Sequence, residues 1–276
     1  MLLKTRTKTY NLADGTHIMG ILNVTPDSFS DGGSYTSVER AVKQAVLMEQ
    51  QGADMIDIGG ESTRPNHEPV SLEDELNRVL PVIRAVKKEI RVPISIDTYK
   101  AETARQAVEA GADIINDIWG AKKDPEIAVV AAEYHVPIIL MHNRSNMNYT
   151  SLIDDMKQDL QESMEIAINA GVPEENIILD PGIGFAKTAA DNLVVMNNLE
   201  RFAELGYPVL LGTSRKRFIG GVLDLPAAER DIGTGATTCL GITKGVHIVR
   251  VHNVKINVEL ARMMDAMLGK GVAVNG

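Results

Sequence analysis

Short apolar runs recur along the whole chain. They fall at 18–22, 55–58, 94–96, 114–115, 137–141, 177–179, 208–211 and 246–251, and they are rich in Ile and Val. Runs this short and this free of polar interruption predict strands buried on both faces. Between them lie stretches with a helical period. In 38–50, Val38, Ala41, Val42, Ala45 and Val46 share one face, and in 72–88, Leu76, Val79, Leu80, Ile83 and Val86 do. Residues 154–170 and 254–268 repeat the pattern. Gly52, Gly111, Gly171, Gly206 and Gly245 each stand between a helical stretch and the next run. Glycine at such a joint takes the left-handed conformation without steric penalty.

Buried strands alternating with amphipathic helices predict βα units and a parallel sheet. Eight runs with eight following helical segments favour a single α/β domain, a closed (β/α)8 TIM barrel of about 250 residues, over a doubly wound open sheet. No Pro/Ser-rich linker or charge block divides residues 1–276. Residues 1–16, with polar alternation and Asp14-Gly15, predict a small N-terminal β-hairpin capping the barrel bottom.

Composition narrows the function classes. The 276 residues carry 28 basic and 37 acidic side chains, a net charge of −9. That balance excludes a general nucleic-acid binder and argues weakly against anionic substrates. At 44% hydrophobic and 24% charged, the chain is expected to be globular and soluble rather than disordered. A single cysteine, Cys239, excludes an intrachain disulfide or a multi-cysteine metal site and fits a reducing cytoplasm. The N-terminus lacks a signal-peptide core, and no window approaches the ~20 apolar residues of a membrane span.

In a barrel the chemistry sits at the C-terminal ends of the strands. Those ends carry Asn23, Asp57, Asp97, Asn116-Asp117, His142-Asn143-Arg144, Asp180, the segment from Ser214 to Arg217, and Arg250 with His252. Asp97, Asn116, Asp180 and Arg250 abut apolar runs, where burial without partners is costly. Asp97 and Asp180 could each accept two adjacent N–H donors, as on the amino-pyrimidinone edge of a pterin or guanine, with Asn116 adding a donor and an acceptor. Each Asp could instead cap the next helix, and for Asp97 that alternative is serious because 98–110 reads as a helix.

Arg64, Lys216, Arg217, Arg250 and His252 form the basic set. Arg250 and His252 lie two apart on one strand, so they share a face and could grip an anion together. Loops after late strands are common phosphate sites, although the segment from Arg215 to Arg217 could equally be a solvated helix start. The polar loops 23–33 and 59–69 have glycine hinges suited to lids. Asn23, Asp27 and Asp31 offer oxygens to Mg²⁺, and Asp-Gly is also plain turn chemistry. Cys239 reads as a small buried hydrophobe. Trp119 either lines a pocket or packs, and His17, His67, His135 and His247 receive no role.

Residues 19–33, MGILNVTPDSFSDGG, and 57–65, DIGGESTRP, closely resemble the two hallmark loops of the dihydropteroate synthase family of pterin-binding enzymes. SIDT at 95–98, IND at 115–117, DPGIGF at 180–185, GTSRK at 212–216 and RVH at 250–252 follow the family in order, so the resemblance spans about 17–268. It implies a barrel that joins 6-hydroxymethyl-7,8-dihydropterin diphosphate to 4-aminobenzoate, releasing diphosphate, in a step of folate synthesis that sulfonamides target. By the same resemblance Asp97, Asn116, Met141, Asp180 and Lys216 would hold the pterin. Asp97, Asp180 and Lys216 would be catalytic, and Asn23 would ligate Mg²⁺. Asn23, Arg64, Arg250 and His252 would bind the diphosphate. Phe29, Thr63, Arg64, Pro65, Phe185, Lys216 and Arg217 would enclose the aminobenzoate, and Asp31 would meet Arg64 as the loops order. Arg217 stands where a small serine is frequent, and Asn253 where an aspartate is, which weakens any supporting role of that position. A methyltetrahydrofolate-binding methyltransferase and a non-catalytic pterin-binding scaffold are the alternatives. Helices at 234–244 and 254–268 look apolar enough for a homodimer face, and neither nucleic acid nor membrane is an expected partner.

Overall fold

The computed structural model describes residues 1–25, 34–61 and 69–271. Its main sheet contains eight parallel strands in the order β8-β7-β6-β5-β4-β3-β10-β9. They are β3 (His17–Asn23), β4 (Met55–Gly59), β5 (Ile94–Asp97), β6 (Ile114–Asp117), β7 (Ile138–Met141), β8 (Ile177–Asp180), β9 (Leu210–Leu211) and β10 (Ile248–Val251). A parallel bridge between Leu179 and Val209 joins the two ends of the sheet. The Leu179 N–H donates to the Pro208 carbonyl at 2.8 Å. The predicted barrel is therefore closed.

Helices follow every strand. They are α1 (Ser34–Gln50), α2 (Leu72–Glu89), α3 (Ala101–Ala110), α4 (Glu126–Glu133) and α5 (Leu152–Asn169), then α6 (Ala189–Asn197) with α7 (Glu200–Ala203), α8 (Arg217–Leu223) with α9 (Asp231–Thr243), and α10 (Val254–Met267). The predicted glycine joints all have positive φ, namely +97° at Gly52, +125° at Gly111, +95° at Gly171, and +86° at both Gly206 and Gly245. Among the described residues no helix is long and apolar enough to cross a membrane. Cys239, on α9, is half-buried rather than buried.

Two hydrophobic cores result from strand alternation. Outward residues such as Ile56, Ile96, Leu140 and Val249 pack against the helices in one cluster. Inward residues at the strand starts, Met19, Met55, Ile114, Ile139, Ile178, Leu210 and Ile248, form a second cluster with Leu3, Tyr10 and Leu12. The last three belong to the N-terminal segment, where β1 (Leu2–Lys4) pairs antiparallel with β2 (Thr9–Asn11). The hairpin thus caps the barrel bottom, and the Tyr10 hydroxyl donates to the Asp54 carbonyl.

The hairpin turn is not at Asp14-Gly15. It lies at 5–8, where the Lys8 N–H donates to Thr5 Oγ1 at 2.9 Å. Asp14-Gly15 belongs instead to the link into the barrel, where the Thr16 N–H donates to Asp265 Oδ2 at 2.7 Å.

Candidate active site

Strand alternation that makes the barrel bottom apolar makes its mouth polar. Going up β4, the inward position after Met55 is Asp57. On β5 the inward positions are Ser95 and Asp97, on β6 Asn116 follows Ile114, on β8 Asp180 follows Ile178, and on β10 Arg250 follows Ile248. Asp57, Ser95, Asp97, Asn116 and Asp180 are all buried. The strands end one or more residues beyond the apolar runs, so these groups belong to the wall and not to the loops.

Arg250 organises this layer. Its Nε donates to Asp57 Oδ2 at 2.6 Å and its Nη2 to Asp97 Oδ2 at 2.7 Å. Asn116 Nδ2 donates to the same Asp57 oxygen at 3.1 Å. Burial works against the guanidinium charge, but Asp57 and Asp97 more than offset it and push its pKa up. Burial pushes the Asp97 carboxyl up to about 7, with Arg250 opposing. Among the described residues, Asp57 Oδ1, Ser95 Oγ and Asp97 Oδ1 are buried without a hydrogen-bond partner. Buried orphans of this kind are exceptional in folded proteins, and Asp97 Oδ1 is an acceptor that a bound donor would satisfy.

The helix-cap alternative for Asp97 fails. Helix α3 begins at Ala101, and its first N–H donates to Asp124 Oδ2 at 2.8 Å. The structural aspartate is Asp117, which accepts from the N–H groups of Trp119 and Ala121 and so shapes the turn after β6. Trp119 is half-buried, with Lys123 Nζ 5.2 Å from its ring centre.

Opposite Asp97, Asp180 Oδ1 accepts the Gly182 N–H at 2.7 Å. Its Oδ2 faces Gly212, where a Cβ would lie 3.7 Å away, and a Cβ on Gly59 would lie 3.3 Å from that of Asp97. A Cβ at Gly59 would crowd Asp97 and one at Gly212 would touch Asp180, so glycine at both positions sets no side chain against the carboxylates. Burial raises the Asp180 pKa, with Lys216 as the main opposing charge. Lys216 donates to the Ile183 carbonyl, and its Nζ lies 4.6 Å from the centre of the half-buried Phe185 ring. Burial brings its pKa down to about 8, against the pull of Asp180. Met141 ends β7 and is buried, and Asn23 ends β3 half-buried.

His252 and Ser214 are joined by a 2.9 Å hydrogen bond at His252 Nδ1. Arg215 is not a solvated helix start, because its Nε and Nη2 engage Asp231 at 2.7 and 2.9 Å. Arg217 opens α8 and is exposed. Asn253 has a larger supporting part than expected. It accepts from the Ile256 N–H as the cap of α10, and its Nδ2 donates to Asp231 at 2.8 Å. Phe29, Asp31, Thr63, Arg64 and Pro65, with Asp27, lie outside the described residues. Asp57 and His142 were read from sequence as strand-end residues without an assigned role, and Ser95 and Lys187 were given none. The role of Asp57 follows from its inward register after Met55, whereas those of the others depend on contacts across the fold.

Known proteins match this arrangement along the whole chain. Residues 19–252 match the family model for pterin binding enzymes. A Bacillus subtilis dihydropteroate synthase is 62% identical over 275 residues, covering 100% of this chain and 96% of that protein. Among solved structures, a Clostridium difficile dihydropteroate synthase with pteroic acid superposes with a TM-score of 0.92 at 49% identity, covering 94% of this chain and 98% of that one. A Xanthomonas albilineans dihydropteroate synthase with 4-aminobenzoic acid gives a TM-score of 0.92 at 39% identity, covering 97% and 98%.

The geometry predicts the consequence of removing the central cation. Arg250→Met leaves Asp57 and Asp97 buried without their counter-charge and is expected to lower stability by roughly 3–5 kcal/mol at neutral pH. The loss should shrink in mild acid, where Asp97, whose carboxyl burial raises, is protonated. Urea midpoints at both pH values check this, and an unchanged neutral midpoint would refute the bridging role.

Proposed function

The chain belongs to the pterin-binding enzyme family, within it to the dihydropteroate synthases, and from that premise we propose how its barrel mouth performs the reaction. The enzyme condenses 6-hydroxymethyl-7,8-dihydropterin diphosphate with 4-aminobenzoate. A C–N bond forms at the pterin methylene and the C–O bond to diphosphate breaks, its electron pair leaving with the diphosphate. The amine proton passes to solvent. The observation that carries the site assignment is the buried set Asp97, Asn116 and Asp180 on inward strand ends, with Asp97 Oδ1 unpartnered among the described residues. Relatives named synthases at high identity leave the methyltransferase and scaffold alternatives without a supporting observation.

Asp97 and Asp180 accept the N–H donors of the pterin edge, Met141 packs on its face, and Lys216 reaches the ring from the opposite wall. Three carboxylates (Asp57, Asp97, Asp180) stand with two cations (Arg250, Lys216) in this layer. As the diphosphate departs, positive charge spreads into the electron-rich dihydropterin, and the carboxylates offset it. Such preorganised charge stabilisation is usually the largest catalytic contribution. Arg250 and His252 share the inward face of β10 and its extension, and with Arg64 they would face the diphosphate. Phe185, Lys216 and Arg217 would face the aminobenzoate, with Phe29, Thr63, Arg64 and Pro65 contributed by the two long loops.

Among the described residues no group of three or more His, Cys, Asp or Glu could hold a metal ion. Mg²⁺ takes few protein ligands and completes its shell with phosphate oxygens and water. The Asn23 side-chain oxygen at the end of β3 would hold it together with the diphosphate. Bound there, Mg²⁺ would neutralise charge on the leaving group.

Val222 on α8, Ile232 on α9 and Met263 and Met267 on α10 are 63%, 85%, 59% and 61% exposed. Helices α9 and α10 pack side by side, so these residues make one apolar face that a second copy of the chain would cover.

Two measurements test these readings. Diphosphate release should require both substrates and Mg²⁺, and Asp180→Asn or Lys216→Ala should reduce kcat/KM by about 100-fold or more with the thermal midpoint little changed. Near-normal kcat/KM in either folded variant would sink the site assignment. Light scattering should give a dimer mass for the native chain and a monomer mass for Ile232→Glu. A native monomer would overturn the dimer.

A further inference from the structure

The site side chains depend on the loop at 181–187 between β8 and α6. Its Gly182 N–H holds Asp180, its Ile183 carbonyl holds Lys216, and its Phe185 ring lies beside the Lys216 ammonium. The loop is pressed on the end of β7. Gly182 has φ +64°, and a Cβ there would lie 2.0 Å from the His142 carbonyl oxygen. No side chain fits at this contact.

Lys187 grips the same loop from inside. It is only 8% exposed. Its Nζ donates to the carbonyls of Gly182 at 3.0 Å and Phe185 at 2.9 Å and to His142 Nδ1 at 2.9 Å. Burial, with the Lys216 charge, pushes the Lys187 amine down to about 7; in its protonated form it has three N–H donors, and each one is matched. His142 Nε2 lies 2.9 Å from Asp159 Oδ2. A carboxylate only accepts, so Nε2 carries the proton and Nδ1 offers its lone pair to Lys187. Asp159, on α5, also takes Arg144 Nε and has Lys122 Nζ 3.6 Å away. Burial lowers the His142 pKa to about 4, so the ring is neutral. Burial raises the Asp159 carboxyl, but hydrogen bonds from His142 and Arg144 outweigh it and hold it below the usual carboxylate range.

A buried ammonium is a poor device for stability alone, since an apolar side chain of similar volume often serves as well. Its use is orientation. We infer that Lys187 is a positioning residue for the pterin subsite, fixing through its three hydrogen bonds the loop whose backbone aims Asp180 and Lys216. Asp159 and His142 hold Lys187 in turn and tie the loop to β7 and α5. This inference rests on the pterin reading of the site.

Lys187→Met keeps the stem volume and removes the donors. Calorimetry with 6-hydroxymethyl-7,8-dihydropterin diphosphate on the full chain should show affinity weakened by about tenfold or more, because small displacements of site groups carry large penalties. A merely structural role would lower the thermal midpoint and the binding-competent fraction while leaving the Kd of that fraction at the native value, and that result overturns the inference. If Lys187→Met does not fold, Asp159→Asn gives the reading from the far end of the chain of contacts. Weakened pterin affinity there supports the inference, and native affinity overturns it. Failure of the native chain to release diphosphate would sink the proposed function. Native turnover with native pterin affinity in the variants would sink only this inference.

Discussion

One guanidinium makes the barrel mouth possible. Strand alternation drives Asp57 and Asp97 into the interior together, and a buried carboxylate without a partner costs several kcal/mol. Arg250 answers both at 2.6 and 2.7 Å, from a strand on the other side of β3 from β4. The interior can then keep carboxylates where a ligand needs acceptors. Lys216 plays the corresponding part for Asp180 from the loop after the neighbouring strand β9.

The two ends of the barrel divide the work. At the bottom, the hairpin residues Leu3, Tyr10 and Leu12 seal an apolar layer, which sets the strands rigidly. At the top, the same strands carry the polar layer, and the turns behind it are fixed by Asp117 after β6 and by Lys187 after β8. Net charge is a poor guide to such a site. In a chain of net charge −9, Arg250 and Lys216 stand among three carboxylates of the same mouth, so the place of each cation, and not the sum, decides which groups of a ligand it meets.

Much of this was legible in the sequence, because burial and period are local. All the apolar runs became strands, and the glycine joints took positive φ as expected. The strand ends were read short. The runs 94–96 and 177–179 became Ile94–Asp97 and Ile177–Asp180, since a hydropathy reading stops at the first charge while backbone pairing continues. That omission concealed the main feature of the site, which is that its acids are wall residues. Asp57 was placed at a strand end but given no role, because its partner Arg250 lies 193 residues away. The Lys187–His142 contact spans 45 residues and has no local signature. The Asp97 cap was a fair local expectation that Asp124, brought in from the next unit, displaced.

Asp97, buried, and Lys216, half-buried, are both shifted by the interior and would grip the pterin. The most direct test is the affinity for 6-hydroxymethyl-7,8-dihydropterin, which has no diphosphate to titrate, measured against pH. Binding needs Asp97 as carboxylate, so affinity should rise as pH passes about 7. It needs Lys216 as ammonium, so affinity should fall as pH passes about 8. The affinity should therefore trace a bell, and Asp97→Asn should weaken binding and displace the acid limb, to which Asp180, its carboxyl also raised by burial, still contributes. A profile flat across both values, or native affinity in Asp97→Asn, would contradict this.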